Sequence, residues 1–132
     1  MGDHAFQMSD YLQWLREGRR EEAFFALLEM DHGVLPELIA AFRAEPDHQV
    51  RAFIVEVVWQ HRQPSVIPFL GEALCDSEPA VWQQALDGLV SLGSLAALGV
   101  LRSARTRQFR RPRDADSFLA SLEEAIAQVE SQ

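Results

Sequence analysis

The chain has 132 residues, 48% of them hydrophobic and 24% charged, with a formal net charge of −8. That size and composition fit one domain with one continuous core and exclude wholesale disorder. Ala, Leu, Glu, Gln and Arg are plentiful and β-branched residues modest, a mix that favours helix over strand because little rotamer freedom is lost.

In chain order, the spacing predicts seven or eight helices with very short breaks. Asp10–Glu17 carries Tyr11, Leu12, Trp14 and Leu15 and stops at Gly18; Glu21–Met30 carries Phe24, Leu27 and Leu28. Val34–Ala44 sets Leu35, Leu38, Ile39 and Phe42 on one face, with Pro36 in the first turn, where a missing N–H costs nothing. Asp47 is the N-cap of a helix from His48 to about Arg62 that bears Val50, Ile54, Val57 and His61 on one face. Val66–Cys75 follows, again with a proline, Pro68, in its first turn; Ala80–Leu92 carries Val81, Ala85, Gly88, Leu89 and Leu92. After Gly93-Ser94 comes Leu95–Ala104. A last helix starts near Asp114 or Asp116, with Phe118, Leu122, Ala125, Ile126 and Val129 as its stripe. No run alternates with period two for long enough to make a sheet strand.

Charge is unevenly spread. There is no lysine, and six of the twelve arginines lie between Arg102 and Arg113 in a stretch without acids. The other 120 residues set 20 acids against six arginines, a net of −14. Such a field repels nucleic acid and membrane headgroups and attracts basic proteins. Nothing approaches the length of a membrane span, and Met1-Gly2-Asp3-His4-Ala5-Phe6 has no basic segment followed by an apolar run, so no secretory signal is expected. Phe6 stands where a myristoylation sequence wants Ser or Thr. The only cysteine, Cys75, excludes an intrachain disulfide. It falls among Phe69, Leu70, Ala73 and Leu74, where it is expected to act as a small core residue in a reduced cytoplasm.

The middle of the chain repeats itself. Val34-Leu35-Pro36-Glu37-Leu38 matches Val66-Ile67-Pro68-Phe69-Leu70 at a shift of 32; Val50, Ile54, Val57 and Val58 match Val81, Ala85, Gly88 and Leu89 at a shift of 31. Each unit is an apolar helix, a Pro/Asp turn and a second apolar helix. The run Val34-Leu35-Pro36, followed by Pro46-Asp47-His48-Gln49-Val50-Arg51, resembles the HEAT repeat, in particular the short bacterial form of phycobilisome-lyase-like proteins. The next unit departs from that pattern, with Trp82 for the Arg and Gly88 for a larger apolar residue. The resemblance covers residues 34–105, leaving 106–113 as a basic loop and 114–132 as a capping helix of one domain. It implies an all-α solenoid of stacked helix pairs, since one unit cannot bury its apolar face alone. It also implies a protein-binding module without cofactor. Stand-alone HEAT proteins of this size are similar to bacterial immunity proteins that neutralise toxins, which makes a basic toxin domain the expected partner.

Chemistry is sparse. The four histidines are His4, His32, His48 and His61; Asp3, Asp31 and Asp47 precede three of them, but in separate turns and without the i, i+4 spacing of a helical zinc pair, so no metal site is expected. Glu21-Glu22 and Glu123-Glu124 are adjacent pairs that point about 100° apart on a helix, a solvated face rather than a general acid and base. No phosphate loop, nucleophile elbow or Cys-x-x-Cys is present, so enzymatic activity is not expected. A lyase-like accessory role would need a nucleophile, and Cys75 is the only thiol.

Two surfaces remain. The second helices carry Arg51, Val55, Glu56 and Trp59, then Trp82, Gln83, Leu86 and Asp87. Glu56 and Asp87 are equivalent under the 31-residue shift and form an acidic step. Trp59 and Trp82, off the main core stripe, are candidate aromatic anchors for a partner, against the alternative that they pack on a neighbouring repeat. Arg51, Glu56, Trp59, Trp82, Gln83 and Asp87 are therefore the expected partner-binding set. The second surface is a basic patch of Arg102, Arg105, Arg107, Arg110, Arg111 and Arg113 with Phe109, which suits a nucleic-acid adaptor contacting RNA or DNA phosphate or, more simply, a loop that pairs with the acidic body.

Overall fold

A computed structural model describes residues 7–132; Asp3 and His4 lie outside the described residues. Eight α-helices follow one another: α1 (Met8–Arg16), α2 (Arg20–Leu28), α3 (Leu35–Ala44), α4 (His48–Gln60), α5 (Ile67–Ala73), α6 (Pro79–Leu92), α7 (Leu95–Ser103) and α8 (Pro112–Glu130). No strand occurs among the described residues. Consecutive helices pair as α1–α2, α3–α4, α5–α6 and α7–α8, and the second helices stack in the order α2, α4, α6, α8. The all-α solenoid expected from the repeat is the fold.

Local chemistry sets the boundaries. Pro36, Pro68, Pro79 and Pro112 each stand in the first turn of a helix, where they remove an N–H that has no intrahelical partner. The Asp47 carboxylate accepts from the Gln49 N–H at 2.8 Å, and the Ser94 hydroxyl accepts from the Ala97 N–H at 3.1 Å, capping α4 and α7. Gly93 closes α6 in the left-handed conformation, φ 58°, which a residue without Cβ adopts freely. Pro112 rather than Asp114 opens α8, so the basic loop is shorter than the sequence reading gave it, and a short 3-10 turn occupies Ala104–Thr106.

The core runs through the second helices. Ile54, Val55, Val57 and Val58 of α4, Val81, Ala85 and Leu89 of α6, and Phe118 and Leu122 of α8 are fully buried. Trp59 and Trp82 belong to this core, at 8% and 3% exposure, which corrects their reading as residues off the core stripe. The Trp59 ring lies across Gly88 of α6. A Cβ built on Gly88 would stand 2.7 Å from both Cβ and Cγ of Trp59, so only glycine lets the two helices approach this closely. Trp59 Nε1–H donates to Gln84 Oε1 at 3.0 Å, and the Trp82 ring meets Phe118 edge-on at 5.1 Å.

Arginines fasten one unit to the next. Arg51 grips Asp76 through two bonds, Nε to Oδ2 at 2.9 Å and Nη2 to Oδ1 at 3.1 Å, and donates Nη1 to the carbonyls of Glu45 and Pro46 at 3.0 and 2.9 Å. It thus ties the α3–α4 turn to the α5–α6 turn. Arg16 bridges to Glu45 at 2.7 Å and Arg43 to Glu72 at 2.6 Å, each reaching one unit ahead. Such planar, multi-bond contacts suit guanidinium and not ammonium, which gives the all-Arg composition a structural use. Cys75 is the opposite correction: α5 ends at Ala73, Leu74 turns inward, and the Cys75 thiol is left exposed.

Candidate partner-binding surface

The solvent side of the second-helix layer carries the acidic step. Glu56 on α4 and Asp87 on α6 are close enough for the Glu56 charge to act on the Asp87 carboxyl, as the 31-residue register requires. Their situations differ. Glu56 is ion-paired to Arg20 of α2, whose guanidinium also lies 5.5 Å from the Phe53 ring centroid and 5.8 Å from that of Phe24. Asp87 has no ion pair among the described residues, and its pKa is raised, first by desolvation and then by the Glu56 charge.

The step divides two grooves. One, of about 610 Å³, runs between the α1–α2 end and α4, bordered by Arg16, Arg20, Asp47, Gln49, Glu56 and Gln84. The other, of about 270 Å³, lies between α6 and α8, with Gln83, Asp87, Ser121, Glu124 and Gln128 at its edges. Of the expected partner-binding set, Gln83 and Asp87 are exposed and Glu56 half-buried. Trp59, Trp82, Val55 and Leu86 are buried against neighbouring helices, and half-buried Arg51 is engaged by Asp76.

The basic segment is split by the fold. Arg105 clasps Glu123 through two bonds of 2.8 Å, and Arg102 meets Glu130 at 2.7 Å, both on α8. These are the pairings of loop and acidic body that the sequence suggested, and the Arg105 guanidinium holds the Glu123 pKa below its ordinary value. Arg107 turns inward. It donates to the carbonyls of Leu74 and of Asp76, the latter at 2.9 Å, and covers the rings of Phe109 and Phe118 at 4.3 and 4.9 Å. Burial lowers its pKa. Arg110, Arg111 and Arg113 stay exposed, and their side chains make no ion pair or hydrogen bond among the described residues.

Two features escaped the sequence reading. His32 and His61 sit in separate turns, yet the fold brings their Nδ1 atoms to 3.1 Å. His61 is buried at 6% exposure, and its Nε2 is 3.1 Å from the Leu27 carbonyl, which can only accept, so His61 carries a proton on Nε2 and receives the Nδ1–H of His32 when both rings are neutral. The ring centroids are 5.3 Å apart, the separation of a nearly straight N–H···N bond. The clue lay in His61 occupying an apolar stripe position. No group of three or more metal-ligating side chains occurs among the described residues. Cys75 borders the second feature, a groove of about 860 Å³ between α5 and α7 with Gly71 and Gly99 on its sides.

No helix among the described residues is long and apolar enough to cross a membrane. A family model for HEAT repeats matches residues 35–123, extending the repeat beyond residue 105 into α8. No curated protein and no solved structure matches the chain. HEAT repeats are typically non-enzymatic scaffolds that mediate protein interaction, and the match is to the repeat as such, without a lyase-like or toxin-immunity signature. Two central helix pairs in 31–32-residue register, flanked by a pair on each side that closes the core, are the architecture of that family, and the chain belongs to the HEAT-repeat proteins.

Proposed function

We propose that this HEAT module binds a basic protein surface across the acidic step of its second-helix layer, with Glu56, Gln83 and Asp87 as contacts and Glu124 at the edge. One observation carries the reading: Asp87 stands exposed within reach of the like charge of Glu56 and has no ion-pair partner among the described residues. That arrangement costs the free protein stability and is offset when a cation arrives. The grooves on either side of the step give a partner's side chains somewhere to enter. In its specific form the partner is a toxin domain and the chain its immunity protein, a reading that fits the small size, the net charge of −8 and the expected cytoplasmic setting.

The test is affinity capture from the native host at moderate salt, with the wild-type chain beside a Glu56→Lys/Asp87→Lys variant. One stoichiometric partner with a basic contact surface, lost or slowed in association by the double charge reversal, supports the proposal. A partner captured equally by both removes this surface from consideration. A second reading, the lyase-like accessory, is favoured by one observation, the exposure of Cys75 beside a groove. Full function after alkylation of Cys75 in the folded protein removes it.

A further inference from the structure

In a chain with 20 acids and twelve arginines, an arginine with an acidic partner is the ordinary case. Arg16, Arg19, Arg20, Arg43, Arg51, Arg102 and Arg105 all have one. Arg107 is held by carbonyls and rings, and Arg62 lies over Trp59 at 5.6 Å. The remaining three, Arg110, Arg111 and Arg113, are not scattered. They line one cleft of about 610 Å³, between the loop that enters α8 and the turn that enters α6.

The cleft is built on a fixed base. Arg107 anchors the loop to the Leu74 and Asp76 carbonyls, and Phe109 packs on Phe118 at 5.3 Å, so the three free guanidinium groups extend from a pinned segment. Trp82 and Phe109 contribute aromatic wall. Both α6 and α8 begin here, each with a proline in the first turn and no side-chain cap, so their positive dipole ends add to the same field. Two carboxylates, Glu78 and Asp114, also line the cleft and limit the extent of its positive region.

We infer that this cleft is a binding site for a compact phosphate monoester dianion, free or carried on a partner's side chain, with Arg110, Arg111 and Arg113 as its ligands. Guanidinium forks match phosphate oxygens through paired, charge-assisted bonds. The observations favour a single phosphate over a nucleic acid. The two acids of the cleft interrupt any longer basic track, half of the segment's arginines are already engaged, and the net charge of the other residues is negative and repels a polyanion. The site is separate from the acidic step, so its failure leaves the proposed function standing.

The test uses the full chain and three probes: inorganic phosphate, an otherwise uncharged peptide bearing one phosphoserine together with its unphosphorylated form, and a single-stranded oligonucleotide. Binding is followed by amide chemical shifts and calorimetry. The expected result is saturable shifts at the amides of Arg110, Arg111, Arg113, Asp114 and Ala115 and of Ala80–Trp82 with phosphate or phosphopeptide. None should appear with the unphosphorylated peptide, and affinity should fall at least roughly tenfold in an Arg110→Gln/Arg111→Gln/Arg113→Gln variant of unchanged melting temperature. Phosphate alone binding as well as the phosphopeptide identifies a free anion as the ligand; tighter phosphopeptide binding identifies a modified partner. Absence of shifts, equal binding by the triple variant, or tighter binding of the oligonucleotide than of either phosphate probe overturns the inference.

Discussion

The α3–α4 unit and the α5–α6 unit share a register yet solve the same structural problem differently. In the first, Arg51 comes from the unit's own second helix and satisfies the carbonyls of Glu45 and Pro46. The equivalent of Arg51 in the next unit is Trp82, which cannot do this and packs on Phe118 instead. The carbonyl of Asp76, equivalent to that of Glu45, is satisfied by Arg107, which reaches back from beyond α7. Two further pairs of equivalents diverge. Val57 is matched by Gly88, which yields its space to Trp59, and Glu56 with its Arg20 is matched by Asp87 without an ion pair among the described residues. A repeat can thus lose a residue that its own pattern calls for, provided another part of the chain supplies the missing group.

Five substitutions at four positions probe this comparison. Arg51→Ala has the largest expected effect: it strands the half-buried Asp76 carboxylate and two carbonyls together, at a cost of about 3 kcal/mol in urea denaturation. A loss well under about 1 kcal/mol means the two turns are held by packing alone. Gly88→Ala comes next. Helix propensity favours alanine by about 1 kcal/mol, but its Cβ meets the root of the Trp59 side chain, which cannot swing away, so a net loss of about 2 kcal/mol is expected. A gain in stability contradicts the close approach of α4 and α6.

Arg107→Ala measures the remote replacement against the local one. It removes two carbonyl bonds and a ring contact and is expected to cost about 1–2 kcal/mol, less than Arg51→Ala because no carboxylate is stranded. Arg107→Lys, a point charge, should recover only part of that loss. Equal losses for the Arg51→Ala and Arg107→Ala variants dissolve the distinction drawn here.

Asp87→Asn has the smallest effect and the opposite sign. The folded pKa of Asp87 is raised, so its contribution to stability is fully present below the unfolded carboxylate pKa and is lost as pH rises through the folded value. Because Asp87 is exposed and solvent screens the repulsion, removing the charge is expected to raise stability at pH 7 by no more than about 0.5 kcal/mol. The gain should disappear when melting is repeated below about pH 4. An identical gain at both pH values assigns the effect to something other than the charge.

The helices and their order are legible from local rules: prolines in first turns, Asp47 and Ser94 as caps, Gly93 as a stop, and apolar residues three and four apart. The acidic step is legible as well, because Glu56 and Asp87 share a repeat position and stacking brings shared positions together. The roles of the tryptophans and of Arg51 are harder to read. In a two-layer stack each second helix is covered by its partner, by the unit before and by the unit after, so a single stripe understates the buried arc. Cys75 errs the other way, since it lies one residue past the point where α5 turns.

Composition, periodicity and the 31–32-residue shift by themselves determined an all-helical repeat domain with an acidic body and one basic segment, because each is a property of the order of residues along the chain; its likeness to the HEAT repeat rested on the motif around Val34–Pro36 and Pro46–Arg51. The tertiary structure alone decided how that segment is spent. Whether an arginine meets Glu123, a carbonyl of a distant turn, or open solvent depends on which helix lies within reach of its side chain. The same holds for His32 and His61, 29 positions apart yet brought within hydrogen-bonding distance of each other. Charge and hydrogen-bonding capacity are written into each residue, but partners are fixed by distances of a few ångströms that only packing sets.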